Sequence, residues 1–251
     1  YEAVNLLTPK RINTFIGNGS ATQFQVDAKN LDDTEVTAAV NGASVTVSSV
    51  NRTTGLITLA SAPANANGLA NVSITFSKTV TGYADKINQC RFAGLYGGKN
   101  DTRAFVAGNP DEPDCDWQSG LYDPTYFPDT GYTRMGTDAS AIVGYLKQYE
   151  SQLVIKSGGA QEATSYLRSY LTALYPLKQG AQGAGATAPR SFATLGDLPL
   201  FLSARGVQGA FGTAVAEQRT IRSVSDAIVP KLETEAGLEN ACAAVFEGKY
   251  Y

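Results

Sequence analysis

The stretch NGASVTVSSVNRTTGLITLASAPANANGLANVSITF, residues 41–76, sets small polar residues against Val, Leu, Ile and Phe with a period close to two. An extended chain turns successive side chains to opposite faces, so this spacing predicts short, half-buried strands. Val45 and Val47 share one face, and TGLITLA and LANVSITFS continue the pattern. Asn41-Gly42 and Gly55 supply residues that tolerate the positive φ of tight turns. The same texture runs from about residue 11 to residue 80, and in ATQFQV it puts Phe24 and Val26 on one face. Strands with turn signals every ~8–12 residues predict a small β-sandwich, immunoglobulin-like in outline, over residues 8–82.

Beyond SKTVTGYADKINQ the chain grows richer in Gly, Tyr and Phe, which places a boundary at 80–88 and a second domain at residues 86–251. CRFAGLYGGKNDTRAFVAGN predicts a hairpin with strands at 91–96 and 102–107, and AIVGYLKQYESQLVIKSGG another at 141–146 and 152–156. RSFATLGDLPLFLSARGVQGAFG predicts strands at 191–195, 198–203 and 207–211, and AAVFEGKYY starts a last hairpin that stops where its return strand should begin. TSYLRSYLTALYPL fits two periods: Leu167, Tyr170, Leu171 and Leu174 are spaced as in a helix, whereas Tyr166, Arg168 and Tyr170 alternate as in a strand. Neighbouring strands favour the second, and Pro176 ends either. SVSDAIVPKLETEAGLENA predicts a short helix or turn-rich link, capped by Ser225 or Asp226 and terminated at Gly237. Hairpins recurring every ~40–50 residues point to the blades of a propeller. The predicted fold class is therefore all-β, a small Ig-like sandwich followed by a partial β-propeller.

Composition narrows the chemistry. The chain of 251 residues contains no His, which removes Ser-His-Asp, Cys-His and HExxH mechanisms and leaves carboxylates as the candidates for any acid–base work. Cys90, Cys115 and Cys242 are odd in number and far apart, so they predict buried free thiols in place of a disulfide framework or a zinc site. A net charge of −3 with no basic run gives no general attraction to phosphate backbones. No apolar run reaches the ~18 residues of a membrane span. The Gly-rich IGNG and GAQGAGA lack a following GK[ST] and predict turns.

One segment concentrates chemistry. DWQSGLYDPTYFPDTGY, residues 116–132, carries the single Trp, and Asp111, Glu112, Asp114, Asp116, Asp123 and Asp129 lie in or beside it with no Lys or Arg among them. Two carboxylates could act as acid and nucleophile on a sugar stacked on Trp117 or Tyr122. Oxygens of Asp114, Asp116 and Asp123 could instead hold Ca²⁺, a hard cation, although the EF-hand spacing is absent. Against both stands a structural reading, in which Trp117, Tyr126 and Phe127 anchor a long loop, prolines stiffen it and the acids face water. The structural reading is preferred, with no catalytic residue and no cofactor beyond that calcium option.

The succession CRFAGLYGGKNDTRAFVAGNPDEPDCDWQSGLYDPTYFPDTGY, AIVGYLKQYESQLVIKSGG, GATAPRSFATLGDLPLFLSARGVQGAF and ACAAVFEGKYY resembles a β-propeller family of tailed bacteriophages. That family includes tail hub, or packaged-DNA stabilisation, proteins and the tail nozzles of short-tailed phages. Residues 41–76 likewise resemble the small accessory sandwiches of tailed-phage virion proteins. The resemblance implies a non-catalytic structural protein in the tail of a virion, assembled in the bacterial cytoplasm. It implies a homo-oligomeric ring around the DNA exit path, touching other tail or portal proteins and passing DNA without reading its sequence. The alternatives are a host-glycan-binding tail adhesin and a carboxylate-dependent propeller glycosidase. Three or four blade-like groups fall short of the ~4–8 blades of closed propellers, so the chain is expected to be part of a longer polypeptide.

Overall fold

Alternation with a period of two buries every second side chain, and in strand β7 (Val72–Ser77) it puts Val72, Ile74 and Phe76 inside with Ser73, Thr75 and Ser77 less buried between them. The computed structural model describes residues 3–97, 100–158, 163–172, 174–182, 185–214 and 219–251. Two units divide the chain: Tyr1–Ala84 with Pro128–Thr130, and Asp85–Phe127 with Gly131–Tyr251.

In the first unit β7 lies between β1 (Lys10–Phe15) and β3 (Thr37–Val40), and β4 (Ala43–Val45) adds outside β3. A second sheet orders β2 (Gln23–Gln25), β6 (Leu56–Leu59) and β5 (Val47–Asn51). Both sheets turn their apolar faces into one core of Phe24, Val26, Ile57, Leu59, Ile74 and Phe76. Val45 and Val47, read as neighbours on one face, both pack against that core, but from different sheets. Thr46 alone separates β4 from β5, and the strand bends there from one sheet into the other, with a register shift between Val47 and Ser49. The Thr46 carbonyl accepts from the Ala60 N–H at 3.0 Å. Hydrogen-bonded order therefore runs without a break from β1 through β7, β3, β4/β5 and β6 to β2. Residues 128–130 belong to this unit: Asn5 bridges Pro128, the Val4 N–H donates to Asp129 Oδ1 at 3.0 Å, and the Asp129 N–H donates to the Val4 carbonyl at 2.8 Å.

The turn at Gly55 is fixed by sterics. Its φ is +78°, and a Cβ there would sit 2.1 Å from the Ala28 carbonyl oxygen, so backbone and neighbour both require glycine. Gly55→Ala is expected to destabilise the first unit by at least about 2 kcal/mol in urea unfolding. Gly42→Ala, with φ +79° and nothing within 4 Å of the new methyl, should cost only about 1 kcal/mol. Equal losses at the two sites would contradict the packing at Ala28.

The second unit repeats one motif three times. β8 (Phe92–Tyr96), β9 (Arg103–Ala107), β10 (Cys115–Gln118) and β11 (Tyr132–Arg134) form a four-stranded antiparallel meander. β12 (Ile142–Gln148), β13 (Ser151–Lys156), β14 (Ser165–Arg168) and β15 (Leu177–Gln179) form the next, and β16 (Ala193–Leu195), β17 (Leu198–Ser203), β18 (Gly206–Phe211) and β19 (Thr220–Ser223) the third. The three begin about 50 residues apart. Ala107 and Met135 of the first motif pack with Ile142, Val154 and Tyr166 of the second, whose other face offers Leu146, Leu153 and Ile155 to Phe201 and Ala210 of the third. Every sheet is antiparallel and the protein is all-β apart from short helical turns.

Several local expectations change. The acidic segment, read as loop, contains β10 and β11, because Trp117 pairs across to Val106 and Tyr132 and needs the extended chain to do so. In TSYLRSYLTALYPL the preference for strand holds over Ser165–Arg168, where β14 pairs with both neighbours. The link after β19 holds a 3-10 turn (Asp226–Ile228), a short helix (Val229–Leu232) and a second 3-10 turn (Leu238–Asn240). Ser225 does not cap the first turn, since its hydroxyl accepts from the Val207 N–H at 2.8 Å, and Gly237, at φ +78°, precedes the last turn. The last hairpin has its return strand: β20 (Val245–Phe246) pairs with β21 (Lys249–Tyr250). Of the three thiols, Cys115 is buried, Cys90 half-buried and Cys242 exposed; all are free. The expected burial fails at Cys242.

Candidate functional site

An aspartate on the inner side of one sheet is costly unless an opposite charge meets it there. β10 carries Asp116 on the face that opposes the second sheet, beside Ala107 of β9. β14 carries Arg168 beside Gln152 of β13. Arg168 Nη2 donates to Asp116 Oδ2 at 2.6 Å, and Nη1 donates to Gln152 Oε1 at 2.6 Å. Tyr145 of β12 donates its hydroxyl to the same Asp116 oxygen at 3.2 Å, and the Arg168 guanidinium stacks 4.0 Å from the centre of the Phe105 ring. Arg168 is 1% exposed and Asp116 equally so. Burial raises the Asp116 carboxyl above its ordinary range while Arg168 pulls it back, and burial with the facing Asp116 charge pushes the Tyr145 phenol well up.

The other sheet junction and flank are pinned the same way. Lys156, at the end of β13, is fully buried and donates to the Met135 carbonyl and, at 3.0 Å, to that of Thr137. The Gln148 amide donates to the carbonyls of Asp197 at 3.0 Å and Ala210 at 2.8 Å, and its Oε1 accepts from Arg219 Nε. Each polar side chain thus reaches from one sheet to backbone or side chain of the next, and a slip of one residue would strand a buried charge or amide.

The predicted site residues are not brought together. Asp114 is buried and pairs with Arg134 Nη1 at 2.8 Å; Glu112 binds Arg134 and Lys86. Asp123 is remote from those pairs in partner, for it accepts from the Thr125 N–H and hydroxyl, and those two bonds hold its carboxyl below the usual value. Among the described residues no three His, Cys, Asp or Glu side chains are placed to hold a metal ion. Trp117 is 1% exposed and has no face to offer a sugar, because its strand pairs on both sides and its ring lies inside. Tyr122 is the opposite case, 67% exposed with φ +55°, at the rim of a cleft of about 230 Å³ with Leu95, Arg103 and Pro124. Burial raises both Cys90 and Cys115 to about 12, so neither supplies a thiolate at neutral pH.

Arg168, Gln152, Tyr145 and Lys156 did not figure among the predicted site residues. The one signal was Arg168 itself, a charge in phase with Tyr166 in the strand Ser-Tyr-Leu-Arg. What this assembly does chemically is hold two sheets in register: its carboxylate is closed to solvent and already bonded to a guanidinium and a phenol.

No protein-family model matches the chain, and no curated protein matches it. Among the described residues no helix is long and apolar enough to cross a membrane.

Proposed function

We propose that the chain is a non-catalytic structural protein of a tailed-phage virion, a tail hub or nozzle component beside the DNA exit path. In this reading the three meanders are consecutive blades of a β-propeller and the first unit is an accessory sandwich. The observation that carries it is the threefold succession of four-stranded meanders, tied at each junction by hydrogen-bonded buried polar groups. Such ties favour a rigid part over one that must open. The first unit is immunoglobulin-like in its two layers alone: its first strand pairs with the seventh, whereas in immunoglobulin domains the first pairs with the second. The partners are further copies and other tail or portal proteins, and DNA passes without sequence-specific contact.

The test is to follow the native chain in infected bacteria. An antibody against it is expected to label the tails of gradient-purified particles at a fixed copy number per particle. Its recovery only in the soluble fraction, free of particles, would overturn the reading. A second reading, a host-glycan adhesin, draws on Tyr122 alone, and binding of labelled host polysaccharide that Tyr122→Ala abolishes would favour it.

A further inference from the structure

Residues at the starts of β8 and β12 and just ahead of β16 line one cleft of about 390 Å³, a volume in the range of small-molecule sites. Much of the lining is apolar, with Ile142, Val143 and Ala186 buried behind it. Phe92 lies across Gly108, whose φ is +83° and where a Cβ would fall 2.5 Å from the ring, so the glycine makes the room that the ring takes. Pro110, Pro113 and Pro189 add walls of fixed φ with no N–H. Several of the polar groups around the cleft are already bonded. Asn109 Oδ1 accepts from the Asp111 N–H at 2.9 Å, and its amide donates to the Lys86 carbonyl at 3.1 Å. Ser157 Oγ accepts from the Ala141 N–H at 3.1 Å, and the Pro113 carbonyl from the Ile142 N–H at 2.8 Å. Two lining side chains are left over, and both donate: the Arg91 guanidinium and the Thr187 hydroxyl have no partner among the described residues. The acids of the link from β9 to β10 do not serve Arg91, for Glu112 is held by Lys86 and Arg134, and Asp114 by Arg134. No Asp or Glu is among the described residues that line the cleft, and Arg91 is the one charge there.

We infer that this cleft binds a small organic carboxylate with a flat apolar body. The planar fork of the Arg91 guanidinium donates two parallel bonds to the carboxylate, and the Thr187 hydroxyl donates a third. The body lies against Phe92 and the prolines, where it displaces water from apolar surface. Both halves of the ligand follow from the lining. A neutral apolar molecule would leave the guanidinium without an acceptor, and a bare inorganic anion would leave the apolar wall wet. One guanidinium matches one negative charge, so a phosphate dianion would bring a second charge that no other cation in the lining meets. The inference goes beyond the virion role and stands without it, since the cleft belongs to the second unit alone.

Ligand-observed NMR titration of the full chain tests it with trans-cinnamate and with trans-cinnamamide, which keeps the shape and loses the charge. Cinnamate is expected to bind with a Kd of about 1 mM, as suits a ligand of about a dozen heavy atoms. The amide is expected to bind about 10-fold more weakly, and equimolar inorganic phosphate to leave bound cinnamate in place. Arg91→Gln is expected to reduce cinnamate to the affinity of the amide, and Thr187→Val to weaken it about 3-fold. Arg205→Gln removes another exposed arginine of the same unit from outside the cleft and is expected to change nothing. Arg91 is exposed, so its variant folds, which circular dichroism checks; if it unfolds, the comparison of acid with amide on the wild type decides. No binding of cinnamate at about 10 mM, equal affinity for the amide, displacement by phosphate, or equal losses in Arg91→Gln and Arg205→Gln overturns the proposal. A chain that resides in tails and one that does not would give the same titration.

Discussion

Asp116→Ala destabilises the second unit by about 3–5 kcal/mol, because the substitution leaves the Arg168 guanidinium buried without its counter-charge. Trp117 is the single tryptophan and sits next to Asp116 in β10, so its emission follows this unit and not the other. In urea the fluorescence transition is expected to move to lower concentration with its slope unchanged. Arg168→Met in the Asp116→Ala background should recover much of the loss, since removing both charges also removes the cost of burying them. A double variant as unstable as the single one would mean that Arg168 stabilises through Phe105 and Gln152 rather than through the ion pair. The pH dependence has a definite sign. Asp116 is an acid whose folded pKa is raised by burial, so the folded state holds its proton more tightly than the unfolded one. Its contribution falls as pH rises from the ordinary carboxylate value through the folded one. Asp123, lowered by its bonds to Thr125, acts in the opposite sense and loses its contribution on acidification.

Trp117→Ala is expected to cost a similar amount, about 3–5 kcal/mol, for a different reason. Its ring is enclosed, its strand pairs on one side with Val106 and on the other with Tyr132, and truncation leaves a cavity the size of an indole. Thermal unfolding followed by circular dichroism should show the midpoint fall by on the order of 10 °C. Trp117→Phe, which keeps most of the volume, should lose much less. If Trp117→Ala left stability intact, the ring would not be part of the core.

The first unit was largely legible because its core residues are close in sequence and obey one period: Val72, Ile74 and Phe76 announce both strand and buried face. The hairpins at 92–107 and 142–156 were legible for the same reason, as short antiparallel pairs around a turn. β10 was not. Cys-Asp-Trp-Gln has a charge where a buried strand should be apolar, and what makes Asp116 tolerable is Arg168, two strands into another sheet. β11, β15 and β19 are three or four residues of mixed polarity, extended because a partner strand is already there and not through preference of their own. The acidic residues were legible as a cluster and misleading as a site: Asp114 and Asp116 sit two apart and meet different arginines.

The bend at Thr46 has a consequence for how the first unit opens. Two sheets joined only by loops can breathe separately, each losing amide protection at its own rate. Here one strand is shared, so a swing that parts the layers must break the ladder on one side of Thr46 or the other. Protection against hydrogen exchange is therefore collective from β1 to β2, and the unit opens as one foldon whose weakest link and main coupling are the same residue.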